Sequence, residues 1–512
     1  MTWTAMTWTA MTWGSHQRTG DERPGWRQGD LLRPQPHGPV KDFGLRAHDP
    51  SCSGGCRKGS RIWPCRTVGN RLAFGDPDIF WLTSPVSRLA PIARDPTQRT
   101  DPVDSGDTAW MLVSTALVLF MTPGLAFFYG GMVRSKNVLA MLMQNFMAMG
   151  LLAVLWALVG FTLAFGNVGD GGIIGNLDFI GLRDVGSAAG FPLAPTIPFV
   201  LFCAYQMTFA VITPALITGA TADRLKFNAY LIFISIWLVV VYSPVAHWVF
   251  AGGWLAELGA LDFAGGAVVH INAGAAALAL ILVLGRRHGW GTEPMPPHSL
   301  PLTMLGTGIL WFGWFGFNAG SALGANGIAA QALMNTFLAA SAGMLGWVLA
   351  ERVRDGHPTS LGAASGAVAG LVAITPCAGF VGGMSPIAIG FLAGVICLLA
   401  IRLKNRFNYD DALDVIGVHL VGGLLGSMLL GLFADASVNN VGVDGLLLGG
   451  GGELLVDQLV ASVATFGFSF VVSLALAKVI DMTIGLRATL DEELEGLDRT
   501  VHAESAYAGL DG

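Results

Sequence analysis

Residues 261–287 read LDFAGGAVVHINAGAAALALILVLGRR. Between Asp262 at one end and Arg286 and Arg287 at the other, His270 is the only ionisable side chain in the run. A helix of this length crosses a hydrocarbon core of about 30 Å, where an ionisable group is costly unless it has a partner or a task. A second run, residues 414–433, DVIGVHLVGGLLGSMLLGLF, carries His419 in the same setting.

The composition agrees with a bilayer environment. Of 512 residues, 53% are hydrophobic and 12% charged, against about 25% charged in an ordinary soluble domain. The chain therefore reads as an all-α, multi-pass protein of the cell membrane, and nothing in its charge pattern suggests a nucleic-acid partner. From about residue 107, apolar runs alternate with short polar breaks. Eleven spans are expected, at 107–132, 138–165, 196–221, 227–250, 262–285, 299–318, 326–351, 360–377, 383–401, 413–434 and 454–485, because in lipid each must satisfy its own backbone as a helix. Basic residues follow the odd-numbered spans: Arg134 and Lys136, Arg224 and Lys226, Arg286 and Arg287, Arg352 and Arg354, Arg402, Lys404 and Arg406, then Arg487 and Arg499. The even-numbered exits hold only Arg183. The positive-inside rule then places the start of the first span outside and the C-terminus inside.

Residues 1–106 are a different material, a disordered or non-native N-terminal extension. They open MTWTAMTWTAMTW, are rich in Arg, Pro, Gly and Asp, and contain no apolar run long enough to span. Residues 79–93, IFWLTSPVSRLAPIA, are too broken for a signal peptide. Cys52, Cys56 and Cys65 lie in this extension and lack a well-spaced fourth zinc ligand, while Cys203, Cys377 and Cys397 lie in apolar segments. Residues 107–486 form the membrane domain and 487–512 an acidic tail, with Asp491, Glu492, Glu493, Glu495 and Asp498.

Taken together, spans one to five run from outside to inside and spans six to ten the opposite way; an odd repeat of five thus gives two halves of inverted topology plus one extra helix, an arrangement that commonly frames a substrate path. DFAGGAVVH (262–270) and DVIGVH (414–419) echo each other, each with Asp, then Gly, then His. At 1.5 Å per residue, His270 lies ~12 Å and His419 ~8 Å into its span from opposite faces, so a difference in height of roughly 10 Å is expected. For either histidine the plain alternative is a hydrogen bond to a neighbouring helix, and for His247 in SPVAHWVF (243–250) that is the preferred reading. Small-residue stretches such as GAASGAVAG (362–370) read as close helix packing.

Five stretches carry a resemblance: TALVLFMTPGLAFFYGGMVRSKNVLAML (115–142), ALDFAGGAVVHINAG (260–274), WFGFNAGSA (314–322), DVIGVHLVGG (414–423) and the tail DMTIGLRATLDEELEGLDRTVHAESAYAG (481–509). Together, from about 107 to 509, the chain resembles the Amt/MEP/Rh family of ammonium transporters, on its bacterial Amt branch. The resemblance implies eleven helices, a homotrimer with one pore per subunit, and ammonium or ammonia as substrate, with methylammonium as an analogue. It implies that His270 and His419 are paired pore histidines and that Ser321 belongs to an outer ammonium site with Phe209, Phe250 and Tyr205. It further implies that Phe209 and Phe317 form a two-ring gate and that Asp262 is a structural acid near the outer mouth. No cofactor and no metal are implied, and the tail suggests a PII-type signalling protein as a partner at the cytoplasmic face. Two residues depart from the family pattern. Phe250 stands where Trp is usual, which weakens cation–π attraction and leaves Trp248 or Trp254 as the indoles available to compensate, and Tyr205 stands in YQMTF (205–209) where Phe is common.

The residue types suit the substrate. Ammonium and potassium are equal in size, but only ammonium donates directional hydrogen bonds and can lose a proton. A serine hydroxyl accepts such a bond, and each aromatic face adds ~0.5–2 kcal/mol of attraction. Moving a bare ion into an apolar path costs tens of kcal/mol on a Born estimate. Deprotonating ammonium, with a solution pKa of about 9, costs only ~3 kcal/mol at pH 7. A pair of neutral imidazoles sharing one hydrogen bond offers an acceptor and a donor to the ammonia that results. The expected function is ammonium uptake with separate proton transfer as an option, and not an enzymatic one. The competing readings are an ammonium sensor of the same fold, a Rh-like channel for neutral gas, and an intramembrane metal enzyme, for which two histidines without a nearby carboxylate or thiolate are a poor site.

Overall fold

The computed structural model describes residues 103–188 and 190–507. The expectations for the N-terminal extension and its three cysteines fall on residues 1–102, outside the described residues, save for the short stretch from 103 to 106.

Among the described residues the protein is all-helical, and ten helices are long and apolar enough to cross a membrane. They are α1 (Ser105–Met132), α2 (Ser135–Phe165), α3 (Phe199–Thr221), α4 (Phe227–Leu258), α5 (Gly266–Leu284), α6 (Leu300–Ala322), α7 (Gly327–Asp355), α9 (Ser385–Phe407), α10 (Ile416–Phe433) and α11 (Glu453–Thr483). Between them lies α8 (Ser360–Ile374), an apolar helix of 15 residues. At 1.5 Å per residue it rises only ~22 Å, short of a full crossing. The expected span 360–377 thus ends early, because residues 375–380 leave the helix in a series of turns.

The helices pack as two matching sets. In the first, α2 lies against α3 and α4; in the second, α7 lies against α8 and α9. The sets meet where α1 runs along α6 and where α5 meets α10, and α11 lies against α5 and α10. The glycines of 362–370 pack as expected: a Cβ on Gly370 would stand 2.2 Å from the carbonyl oxygen of Ala339 in α7, so only a bare backbone fits there.

The chain between α2 and α3 is held by an aromatic cluster of Phe161, Phe165, Phe179, Phe191, Phe199 and Phe202. The Phe191 and Phe199 rings stack at 4.4 Å and 4°, and Phe202 meets Phe165 edge-on at 5.1 Å. This fixes the start of α3, and with it the side chains that α3 presents to the centre of the bundle.

At the opposite end, buried charges bind loops from both sets. Asp223 pairs with Arg134 (2.9 Å) and Arg287 (3.5 Å), and Asp410 pairs with Arg287 (2.9 Å) and Arg224 (3.8 Å). Two short helices, α12 (Leu490–Glu495) and α13 (Leu497–His502), dock on this end. Asp498 accepts the N–H groups of Leu139 (3.0 Å) and Ala140 (2.8 Å) in the first turns of α2. Glu493 is 1% exposed, pairs with Arg487 at 2.7 Å and accepts the N–H of His288. The acidic tail is thus a packed element through Glu493 and Asp498, which is more than a solvated end.

Candidate functional site

Both histidine-bearing helices begin late. α5 starts at Gly266 and α10 at Ile416, whereas the sequence boundaries were 262 and 413. Each begins with a π-helical turn, Gly266–Ile271 and Ile416–Leu420, a form enriched at functional sites. His270 and His419 sit in these first turns, deep in the bundle. The expected height difference of roughly 10 Å is therefore wrong: the imidazoles meet, with Nδ1 atoms 3.2 Å apart and ring centroids 5.3 Å apart. The late starts bring both residues to one level.

A carboxylate anchors each start. Asp262 accepts four backbone N–H groups, from Gly265 (2.8 Å), Gly266 (2.6 Å), Ala267 (2.8 Å) and Val268 (3.2 Å). On α10 the equivalent acid is Asp411, which accepts from Val415 (3.1 Å) and Ile416 (2.7 Å). The sequence echo had aligned Asp262 with Asp414, but Asp414 turns away to Lys404. The corrected match is tighter: each histidine stands eight residues after its acid and four before a glycine, in Asp262–His270–Gly274 and Asp411–His419–Gly423. Those glycines let the helices cross. A Cβ on Gly274 would lie 2.6 Å from Leu420 Cβ, and one on Gly423 would lie 3.0 Å from His270 Cβ.

Asp411 lies just ahead of α10, and burial, followed by the charge of Asp414, pushes its carboxyl up to about 7. A folded-state pKa above the unfolded value of ~3.9 gives stability that is complete below pH 4 and is lost as pH rises towards 7. The melting temperature of Asp411→Asn relative to wild type is expected to climb between pH 4 and pH 8. A difference independent of pH sinks this prediction.

Around the histidines the walls are apolar. They share a cavity of about 10 Å³ with Leu125, Ile212, Leu216, Trp314 and Phe317, among others. Trp314 stacks on His270 at 5.6 Å and 20°, fixed by its indole N–H donating to Thr375 Oγ1 at 2.9 Å. Nδ1 of His270 is used by its partner, and its Nε2 has no hydrogen-bond partner among the described residues.

A second cavity, of about 220 Å³, is lined by Leu193, Phe202, Gln206, Phe209, Val249, Phe250, Asp262, Phe263, Ser321 and Leu323. Phe209 belongs to this vestibule and Phe317 to the histidine cavity, and the two rings stack between them at 4.3 Å and 26°. Of the residues singled out in the sequence, Ser321, Phe209, Phe250 and Asp262 line the vestibule. Tyr205 stands behind it, 1% exposed, with its hydroxyl 3.2 Å from Ser321 Oγ. Neither Trp248 nor Trp254 lines it. Trp248 donates to the Ile173 carbonyl at 2.7 Å and packs on Trp254 at 5.7 Å, so no indole stands in for Phe250. His247 is structural, with Nδ1 2.9 Å from the Ala164 carbonyl and Nε2 3.2 Å from Asp170. Sequence reasoning missed Phe202, Gln206, Phe263 and Trp314; YQMTF contained Gln206 one step from Tyr205, and WFGFNAGSA opens on Trp314.

Among the described residues no three His, Cys, Asp or Glu side chains converge as a metal centre requires. The geometry defines a multi-pass membrane protein with two matching helix sets, a vestibule, a pair of stacked rings and a histidine pair in a narrow apolar space. The chain belongs to the Ammonium Transporter Family, whose profile matches residues 109–507. It is 53% identical over 432 residues to a protein named "Ammonium transporter" from Mycobacterium tuberculosis (strain ATCC 25618 / H37Rv), covering 79% of this chain and 90% of that one. It is similar in structure to Candida albicans Mep2, with TM-score 0.72, 38% identity, and 76% and 88% of the two chains covered. It is also similar to a structure titled "Sensor Amt Protein", with TM-score 0.70, 28% identity, and 77% and 97% covered.

Proposed function

We propose that this protein takes ammonium into the cell, stripping its proton at the vestibule and passing it on as ammonia. The observation that carries the reading is the 3.2 Å contact between the two imidazole Nδ1 atoms inside an apolar cavity. If one Nδ1 carries the shared proton, the other accepts it, and the tautomers become complementary: one Nε2 is left as acceptor and the other as donor. Ammonia, which both donates and accepts, finds a partner at each ring. Potassium does neither and faces the full cost of desolvation.

In this reading Ser321, Phe209 and Phe250 receive the cation with Tyr205 behind them, and Asp262 holds the mouth in shape. Phe209 and Phe317 part to admit one molecule. The basic loops of the Asp410 end face the cytoplasm, with the tail, and the vestibule faces outside. The protein assembles as a homotrimer with a passage in each subunit. The packed tail from Arg487 onward supports a cytoplasmic docking place for a PII-type regulator. The proton either returns outside or crosses by a separate route; current across a planar bilayer on adding ammonium distinguishes the two.

The test is flux in proteoliposomes holding the purified protein. Labelled methylammonium is expected to enter in a saturable manner while labelled rubidium, the potassium mimic, stays out. Rubidium entry at a comparable rate overturns the reading. Methylammonium binding without flux assigns the chain to the sensor alternative, which the likeness to the sensor structure supports.

A further inference from the structure

We infer that Tyr205 is a positioning residue of the vestibule that sets affinity for the entering cation through Ser321, resting on the reading of the vestibule as the ammonium site. Ser321 Oγ donates its one proton to the Phe317 carbonyl at 2.8 Å. Its lone pairs then face away from that carbonyl, one towards Tyr205 and the other free for the vestibule it lines.

The Tyr205 hydroxyl has one proton and three acceptors within reach: the carbonyls of Gly316 and Phe317, each at 2.9 Å, and Ser321 Oγ at 3.2 Å. Gly316 O already accepts the Gly320 N–H, and Phe317 O already accepts Ser321. Ser321 Oγ accepts from no other described group, so it is the acceptor that most needs this proton. The phenol is itself held: it is 1% exposed, its ring meets Phe209 edge-on at 5.0 Å, and a Cβ on Gly320 would find both Tyr205 Oη (2.7 Å) and Ser114 Oγ (3.0 Å).

Two consequences follow from these contacts. Tyr205 keeps Ser321 in the one rotamer that presents a lone pair to the vestibule, since rotation would break both hydrogen bonds. It also leaves Oγ a single open lone pair, so a cation that donates to Ser321 must do so from the vestibule side. Tyr205 does not line the vestibule, so it acts on the cation through Ser321 and not by contact.

The test is a double-mutant cycle of Tyr205→Phe and Ser321→Ala in the full chain, read by methylammonium uptake in proteoliposomes and by thermal melting. Phenylalanine keeps the ring and removes only the hydroxyl, so Tyr205→Phe is expected to fold with at most a small drop in melting temperature. Its KM is expected to rise roughly three- to tenfold, the worth of one hydrogen bond, with little change in maximal rate. In the Ser321→Ala background the same substitution is expected to add nothing. An unchanged KM, a loss confined to maximal rate, or an effect that persists without Ser321 overturns the inference. If Ser321→Ala alone leaves KM untouched, the vestibule reading fails first, and the cycle shows which of the two fell.

Discussion

Replacing His270 and His419 together by leucine is expected to abolish methylammonium uptake and leave the protein tight to potassium. Replacing both by alanine is expected to let potassium through. The two variants separate what the imidazoles do as hydrogen-bonding groups from what they do as volume. Leucine keeps the passage filled and dry but removes the donor and acceptor that the imidazoles supply. A buried polar molecule left without a partner loses about 1–3 kcal/mol per bond, so two lost bonds slow transfer by roughly 30-fold or more. Alanine instead enlarges a cavity now of about 10 Å³, at the edge of the ~10–15 Å³ that admits a single water, so that several waters fit. A hydrated passage no longer penalises a bare ion. Paired flux of labelled methylammonium and rubidium through each variant reads both effects. Should the alanine pair still exclude rubidium, dryness is not the source of selectivity.

The second large effect concerns folding. Asp262→Ala is expected to yield no folded protein, and Asp262→Asn a destabilised one. The carboxylate accepts four backbone N–H groups at the start of α5. Alanine leaves all four buried without a partner, at about 1–3 kcal/mol each. That total is comparable with the ~5–15 kcal/mol by which native proteins are stable. Asparagine keeps one acceptor oxygen and retains part of the anchor. Asp411→Ala, which orphans two N–H groups, is expected to fall between wild type and Asp262→Ala. Monodispersity after detergent extraction, with melting temperature, checks the order; an alanine variant at 262 that melts like wild type removes the argument.

Much of this architecture was legible because bilayer physics leaves few choices. A long apolar run must be a helix, and each expected range holds one, with ends that shift by up to eight residues, as at the end of α4, the start of α5 and the end of α9. The end of α8 is informative: residues 375–380 read TPCAGF, and Pro376, which has no backbone N–H and disfavours helical geometry in the residue before it, stops the helix at Ile374 although the stretch is apolar. Which acid anchors α10 was not legible either. Asp410, Asp411 and Asp414 crowd one short stretch, and the carboxylate that accepts the first N–H groups depends on where the helix begins. The spacing Asp262–His270–Gly274 and Asp411–His419–Gly423 was present in the sequence, but it becomes visible only once Asp414 is set aside. The vestibule draws Leu193, Gln206, Val249 and Ser321 from separate segments, and no single motif gathers them. Contact between the histidines was beyond counting, because rise per residue cannot say how deep a helix starts.

The stacking of Phe209 on Phe317 at 4.3 Å has a bioenergetic consequence. Carbon atoms in contact sit about 3.5–4.0 Å apart, so no file of solvent stands between these rings at rest. Protons hop along unbroken chains of water, and the stacked rings interrupt any such chain at this point. On the function proposed above, a cell can therefore hold many copies of this protein in its membrane and keep the electrochemical gradient that drives its ATP synthesis.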